Sequence, residues 1–141
     1  YLETFLDKYS GLKWYKSAVE RLVNKRQYTK TLFGNTRFYH KDIANGWYWI
    51  NKAVNHPVQG TSADIVKMAM VSVYKWLVAE NLLHTKVKIC AQVHDEIVFE
   101  VKDAFLEEFK SKVYSIMMGV CDLIVPMVVD VCSGKNWAEA H

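Results

Sequence analysis

Gln92-Val93-His94-Asp95-Glu96-Ile97-Val98-Phe99-Glu100-Val101 sets strand-forming residues on both sides of a polar His-Asp-Glu corner. β-Branched and aromatic side chains favour strands, and two such runs around a short polar corner read as a β-hairpin with adjacent carboxylates at its tip. A carboxylate belongs in water unless it is paired or bound to metal. The corner therefore has two readings, a metal held against phosphate or a plain solvated turn. The ten residues alone leave both open.

The alternation extends outward from this corner. Val87, Ile89, Ala91 and Val93 alternate with Lys86, Lys88, Cys90 and Gln92, which predicts a half-buried strand leading in. Ile97, Phe99 and Val101 alternate with Val98 and Glu100 on the way out. Asp103 is placed to cap a following helix, in which Phe105, Phe109, Val113, Ile116 and Met117 fall at core spacing. Leu123 to Val131 reads as a last strand, and Pro126 within it favours an edge or a bulge.

Upstream, Val58 to Glu80 carries the clearest helical pattern. Ile65, Met68, Ala69, Val73, Trp76 and Leu77 make one apolar stripe, a core face by default. Gln59, Gly60, Thr61 and Ser62 leave the first turn without bulk, so another backbone or a ligand can come close. Asp64 lies further along the same helix and is expected to make a structural hydrogen bond. Trp47 to Asn55 is a separate predicted helix ending near His56-Pro57, since the residue before a proline is pushed out of helical geometry. Its aromatics Trp47, Tyr48 and Trp49 are expected to pack.

The chain begins with a short helical run, Tyr1 to Tyr9, broken at Ser10-Gly11. Leu12, Tyr15, Val19, Leu22 and Val23 then mark an amphipathic helix to about Arg26, with lysines and arginines interleaved. Tyr28 to Phe33 and Arg37 to Tyr39 are short β-type runs joined through Gly34-Asn35, a second hairpin. It presents Arg37, then His40 and Lys41, either to phosphate or to solvent. Helix, hairpin, helix, helix, hairpin, helix and strand in that order predict an α+β fold, an antiparallel sheet covered by helices.

Composition bounds the function. The 141 residues are half hydrophobic, enough for a real core and incompatible with a disordered chain. No apolar run approaches the roughly 18 residues that span a bilayer, and no signal peptide opens the sequence. The chain starts at Tyr1, so a fragment or processed product is expected. Cys90, Cys121 and Cys132 lack metal-ligand spacing and read as free thiols. Residues 1–56 carry ten Lys/Arg against four Asp/Glu, and residues 57–141 carry eight against eleven. That asymmetry suits a polyanion gripped by one part and a cation by the other, or simply two solvated faces.

Two stretches carry a family resemblance. Asn55-His56-Pro57-Val58-Gln59-Gly60-Thr61-Ser62-Ala63-Asp64-Ile65 resembles the pattern that opens a long palm helix in family A DNA polymerases. Gln92-Val93-His94-Asp95-Glu96 resembles that family's motif C, the catalytic palm hairpin. Ser133 to His141 is similar to the C-terminus of the bacterial polymerase I group. Thr31-Leu32-Phe33-Gly34, followed by Arg37 and Asp42-Ile43, is similar to the segment behind the fingers. The likeness covers nearly the whole chain, but only the last part of a typical polymerase core.

The resemblance implies that residues 1–45 are the back of a fingers subdomain and residues 46–141 the C-terminal part of a palm. It implies template-directed 5′–3′ nucleotidyl transfer by a DNA-directed DNA polymerase. The partners would be primer-template DNA, deoxynucleoside triphosphates and the N-terminal remainder of the enzyme, with two Mg²⁺ ions per complete site. Asp95 would be the motif C metal ligand, with Glu96 a catalytic accessory and His94 near the primer end. Asn55 and Gln59 stand one helical turn apart and would reach the minor groove, where acceptors occur in every base pair. Lys52 and Arg37 would contact the DNA as well.

The sequence departs from the pattern in places. Asn51 stands where an arginine is usual, with Lys52 beside it; Ser10 replaces the usual proline; and the Gly34 turn keeps only Arg37 of a run of arginines. The second metal-binding Asp, from motif A, and the triphosphate-binding fingers helix do not occur in the chain. It is therefore expected to be inactive alone, as a fragment or one half of a split enzyme, in an intracellular, cytoplasmic setting (a bacterial cell or phage-infected host) or in an organelle. The alternatives are a noncatalytic DNA-binding module that keeps the palm fold, and a metal-dependent nuclease built on Asp95-Glu96.

Overall fold

A computed structural model describes residues 2–39 and 46–140; His40, Lys41 and Asp42-Ile43, named above, lie outside them, as do the side chains of Trp47 and Tyr48. In chain order the elements are α1 (Leu2–Lys8), α2 (Ser10–Arg26), β1 (Tyr28–Lys30), β2 (Thr36–Phe38), α3 (Gly46–Ala79), β3 (Val87–Val93), β4 (Glu96–Val101), α4 (Leu106–Met118) and α5 (Trp137–Ala140). Both sheets are two-stranded and antiparallel, β1 with β2 and β3 with β4. The α+β class is as the sequence predicts. By compactness the chain forms two units, residues 1–64 and 65–141, and α3 contributes to both.

In the first unit, Val19 and Val23 of α2 are buried with Tyr39 and Ala53, and Tyr15, Trp49 and Val54 pack around them. The Tyr15 hydroxyl donates to the Val54 carbonyl at 2.8 Å, tying α2 to α3. Burial, then proximity to Tyr39, pushes the Tyr15 phenol above its usual range. The break after α1 falls at Tyr9, so Ser10 and Gly11 begin α2 instead of preceding it. The β1–β2 hairpin pairs Tyr28 with Phe38 and Lys30 with Thr36. Gly34 takes a φ of 90° in its loop, a region open to glycine at little steric cost.

In the second unit, Val73, Leu77, Leu82, Val87, Phe105, Phe109 and Val113 form the core, with Ile89, Phe99 and Val101 packed on it. Phe99 meets Phe109 edge-on at a centroid distance of 5.1 Å. The foot of the β3–β4 hairpin is thereby anchored between α3 and α4.

Three further expectations need correction. Helix α3 does not end before Pro57; it runs through it, from Gly46 to Ala79. Proline removes one backbone donor and crowds the preceding turn, yet the helix continues through it, and one turn on Thr61 is bonded to the Leu32 backbone, a contact that the bare pattern does not reveal. Asp103 does not cap α4. It opens a short 3-10 turn over Asp103–Phe105, leading into α4 with no side-chain cap, and its carboxylate still favours the helix N-terminus electrostatically. Leu123–Val131 forms no strand among the described residues. Its composition is strand-like, but a strand exists only where a partner pairs with it.

Candidate nucleic-acid and metal-binding site

Pro57 is spanned by a side-chain relay. The Thr61 hydroxyl donates to the Pro57 carbonyl one turn back and accepts from the Leu32 backbone N–H at 2.9 Å. Thr31 sits on Gly60, where an added Cβ would lie 2.7 Å from Thr31 Cγ2, so only glycine allows this approach. Asn35 donates through Nδ2 to Asp64 Oδ1 at 2.7 Å. Asp64 is 7% exposed, and its Oδ2 has no hydrogen-bond partner among the described residues. The structural role expected of Asp64 is thus a clamp on the Gly34-Asn35 turn.

These contacts bring Arg37 of β2 to the exposed face of α3. Arg37, Lys52, Asn55, His56, Gln59 and Gly60 line one open pocket of about 260 Å³. The Arg37 guanidinium lies 5.8 Å from the centre of the Tyr39 ring. Asn55 and Gln59 are exposed. Two cations and two amides around one opening suit an acceptor-rich polyanion: guanidinium and ammonium for phosphate, amides for base edges. All four DNA-binding candidates from this part of the chain gather here. His56 joins them, although the sequence marks it only as the residue before a proline.

The second centre is the β3–β4 hairpin. Val93 pairs with Glu96, leaving His94 and Asp95 as the two turn residues. His94 has a φ of 53°, in the left-handed region that disfavours a branched Cβ. Gln92 Nε2 donates to the His94 carbonyl at 3.1 Å, closing the turn. The ladder slips at Cys90, so Ile89 faces Phe99 while Ala91 faces Val98. Such a bulge re-aims the side chains beyond it. Asp95 is exposed at the tip, with Glu96 half-buried beside it. The Lys88–Glu100 ion pair at 2.9 Å is exposed and of little consequence for stability.

Mg²⁺ takes several hard oxygen ligands in near-octahedral array. Asp95 and Glu96 offer oxygens of that chemistry. Among the described residues, however, no three His, Cys, Asp or Glu side chains gather as a metal-holding group. The donors among the described residues do not by themselves complete a Mg²⁺ site. The described residues also include no helix long and apolar enough to cross a membrane.

The described residues thus present a helix-backed hairpin with a carboxylate tip and, in the first unit, a cationic, amide-lined pocket on a long helix. The model of DNA polymerase family A matches residues 1–139, and the chain belongs to that family. It is 35% identical to DNA polymerase I of Pseudomonas aeruginosa, over all of this chain and 16% of that protein. It is 37% identical to DNA polymerase I of Streptococcus pneumoniae, over 99% of this chain and 16% of that one. The solved POL domain of Pol1 from M. smegmatis, in complex with DNA primer-template and dNTP, superposes with a TM-score of 0.87 at 30% identity, covering 99% of this chain and 25% of that one. The chain thus spans about one sixth of the curated relatives it matches.

Proposed function

We propose that the chain is the C-terminal portion of a template-directed DNA polymerase, with residues 1–45 as the back of the fingers and residues 46–141 as part of the palm. The observation that carries this is the gathering of Arg37, Lys52, Asn55 and Gln59 on one pocket, in a chain that matches family A over residues 1–139. The M. smegmatis domain is solved with primer-template and dNTP, which supports DNA and nucleotides as partners.

In this reading Arg37 and Lys52 hold phosphate, while Asn55 and Gln59 donate to minor-groove acceptors present in every base pair. Shape is tested without reading sequence. Asp95 supplies one carboxylate ligand for Mg²⁺, Glu96 adds negative potential beside it, and His94 lies near the primer end. When bound, the metal lends Lewis-acid charge stabilisation to phosphoryl transfer. The remaining ligands come from outside this chain, so residues 1–141 alone do not extend a primer. The hairpin matters because a ligand misplaced by about 1 Å can cost on the order of a hundredfold in rate.

The same pocket, which needs no metal, also suits a second reading, a DNA-binding module without chemistry. Asp95→Ala separates the two when the chain is assembled with the motif A and fingers portions. The polymerase reading expects extension to be abolished with primer-template affinity kept within about twofold. Unchanged extension removes the metal role. Extension by the isolated chain with Mg²⁺ and nucleotides would show that it is self-sufficient.

A further inference from the structure

We infer that His56 is a third hydrogen-bond donor to the nucleic acid, its ring set by a buried relay from Tyr39 and Thr29. This rests on the reading of the Arg37–Gln59 pocket as a DNA site. His56 Nδ1 lies 2.8 Å from Thr29 Oγ1, which lies 3.0 Å from the Tyr39 hydroxyl. Thr29 is 1% exposed and Tyr39 7%. Each hydroxyl has a single proton to donate.

Two directions of donation are open to such a relay, and they differ in what they leave behind. If His56 Nδ1–H donated to Thr29, and Thr29 to Tyr39, the Tyr39 proton would need a further acceptor. Thr29 is the hydrogen-bond partner that the described residues give that hydroxyl. The opposite direction uses every proton: Tyr39 O–H donates to Thr29 Oγ1, and Thr29 O–H donates to Nδ1. The neutral ring then carries its proton on Nε2, since the partner of one ring nitrogen sets the state of the other.

His56 and Gly60 both line the pocket. An added Cβ on Gly60 would lie 3.2 Å from Nε2, so that edge of the ring rests against a glycine of the pocket lining. Burial, then the neighbouring Arg37 charge, holds the imidazole below its usual range, with the Asp64 charge acting the other way. Lys52 also lines the pocket. The neutral Nε2–H donor thus joins the Asn55 and Gln59 amides. It can meet a base-edge acceptor or a phosphate oxygen, two acceptors of the same duplex.

The test has two parts, both in the polymerase assembled with this chain. Nitrogen-15 spectra of labelled histidine, assigned by His56→Gln, should show the Nε2–H tautomer at neutral pH; an Nδ1–H tautomer overturns the relay. His56→Phe, which fills the space without a donor, should weaken primer-template binding about three- to tenfold. His56→Gln should recover most of that loss. Duplexes with a single 3-deazapurine or a single methylphosphonate assign the acceptor: at the contacted position the modification weakens the wild type but not His56→Phe. Gln59→Ala is the reference. If it weakens binding while His56→Phe and His56→Gln both bind like wild type, the inference about His56 fails and the DNA site stands. If Asn55→Ala and Gln59→Ala also bind like wild type, the pocket is not a DNA site and the inference falls with it.

Discussion

His56 shows how a single residue can be invisible in sequence yet central in structure. The pre-proline rule places it at a helix end, but α3 runs through it and the ring is drawn to Thr29, 27 positions earlier. No local pattern announces a pairing of that separation. The hairpin tip at Asp95 and Glu96 is legible because its signal is local, a polar corner between two strands, whereas Asn55 and Gln59 stand out only through the family resemblance. The His56 environment has a consequence for pH. Its folded value is lowered from 6.5, first by burial and then by Arg37. Between that lowered value and about 6.5 the unfolded chain binds more protons, so stability rises with pH across this window. Conversely, stability contributed by the neutral ring is lost as pH falls below about 6.5, down to the lowered folded value. Denaturant midpoints measured from about pH 5 to pH 8 should show this slope in the wild type, and a smaller one in His56→Gln. An identical slope in both would show that His56 is not its source.

At the scale of elements, periodicity located the helices and turn chemistry located both hairpins, whereas boundaries set by tertiary partners were misread. Pro57 lies inside α3, and one turn on Thr61 bonds both the Pro57 carbonyl and the Leu32 backbone N–H. The bulge at Cys90 is likewise absent from the simple alternation of Val87, Ile89 and Ala91. Gly60 and Gly11 offer a test of opposite sign. Both sit in helices, where alanine is ordinarily better than glycine by about 0.5–1 kcal/mol. An added Cβ meets nothing within 4 Å at Gly11, so Gly11→Ala should stabilise by about that amount. At Gly60 it would lie 2.7 Å from Thr31 Cγ2 and 3.1 Å from His56 Cδ2. Gly60→Ala should therefore destabilise by about 1–3 kcal/mol, as overpacking does. It should also weaken DNA binding by shifting the pocket floor. Urea unfolding reads the first effect and a primer-template titration the second. A stabilised Gly60→Ala would mean that the β1–β2 loop does not rest on α3.

For the molecule as a whole, Leu123–Val131 is the stretch where sequence and structure part most clearly. Leu, Ile and Val dominate it, yet it joins no ladder among the described residues, and Ile124, Val125 and Val128 are exposed. Sequence propensity reports what a segment pairs well with, not whether the partner is present. An extended segment without a partner leaves its amides to water, which costs little while they remain solvated but strands a row of apolar side chains. The chain spans about one sixth of the polymerases it resembles, and in the proposed reading the palm is completed by residues outside it. Completion should pair this segment. Hydrogen exchange of the isolated chain should show fast amides over residues 123–131, while those of the β3–β4 hairpin, anchored on Phe99 and Phe109, exchange slowly. Assembly with the remaining polymerase portion should slow the 123–131 amides by at least about tenfold, with Pro126 leaving a gap because it has no N–H. The same assembly should reduce binding of a hydrophobic dye to the chain. Amides over 123–131 that stay fast in an assembly competent for primer extension would show that this apolar stretch is no latent strand of the palm.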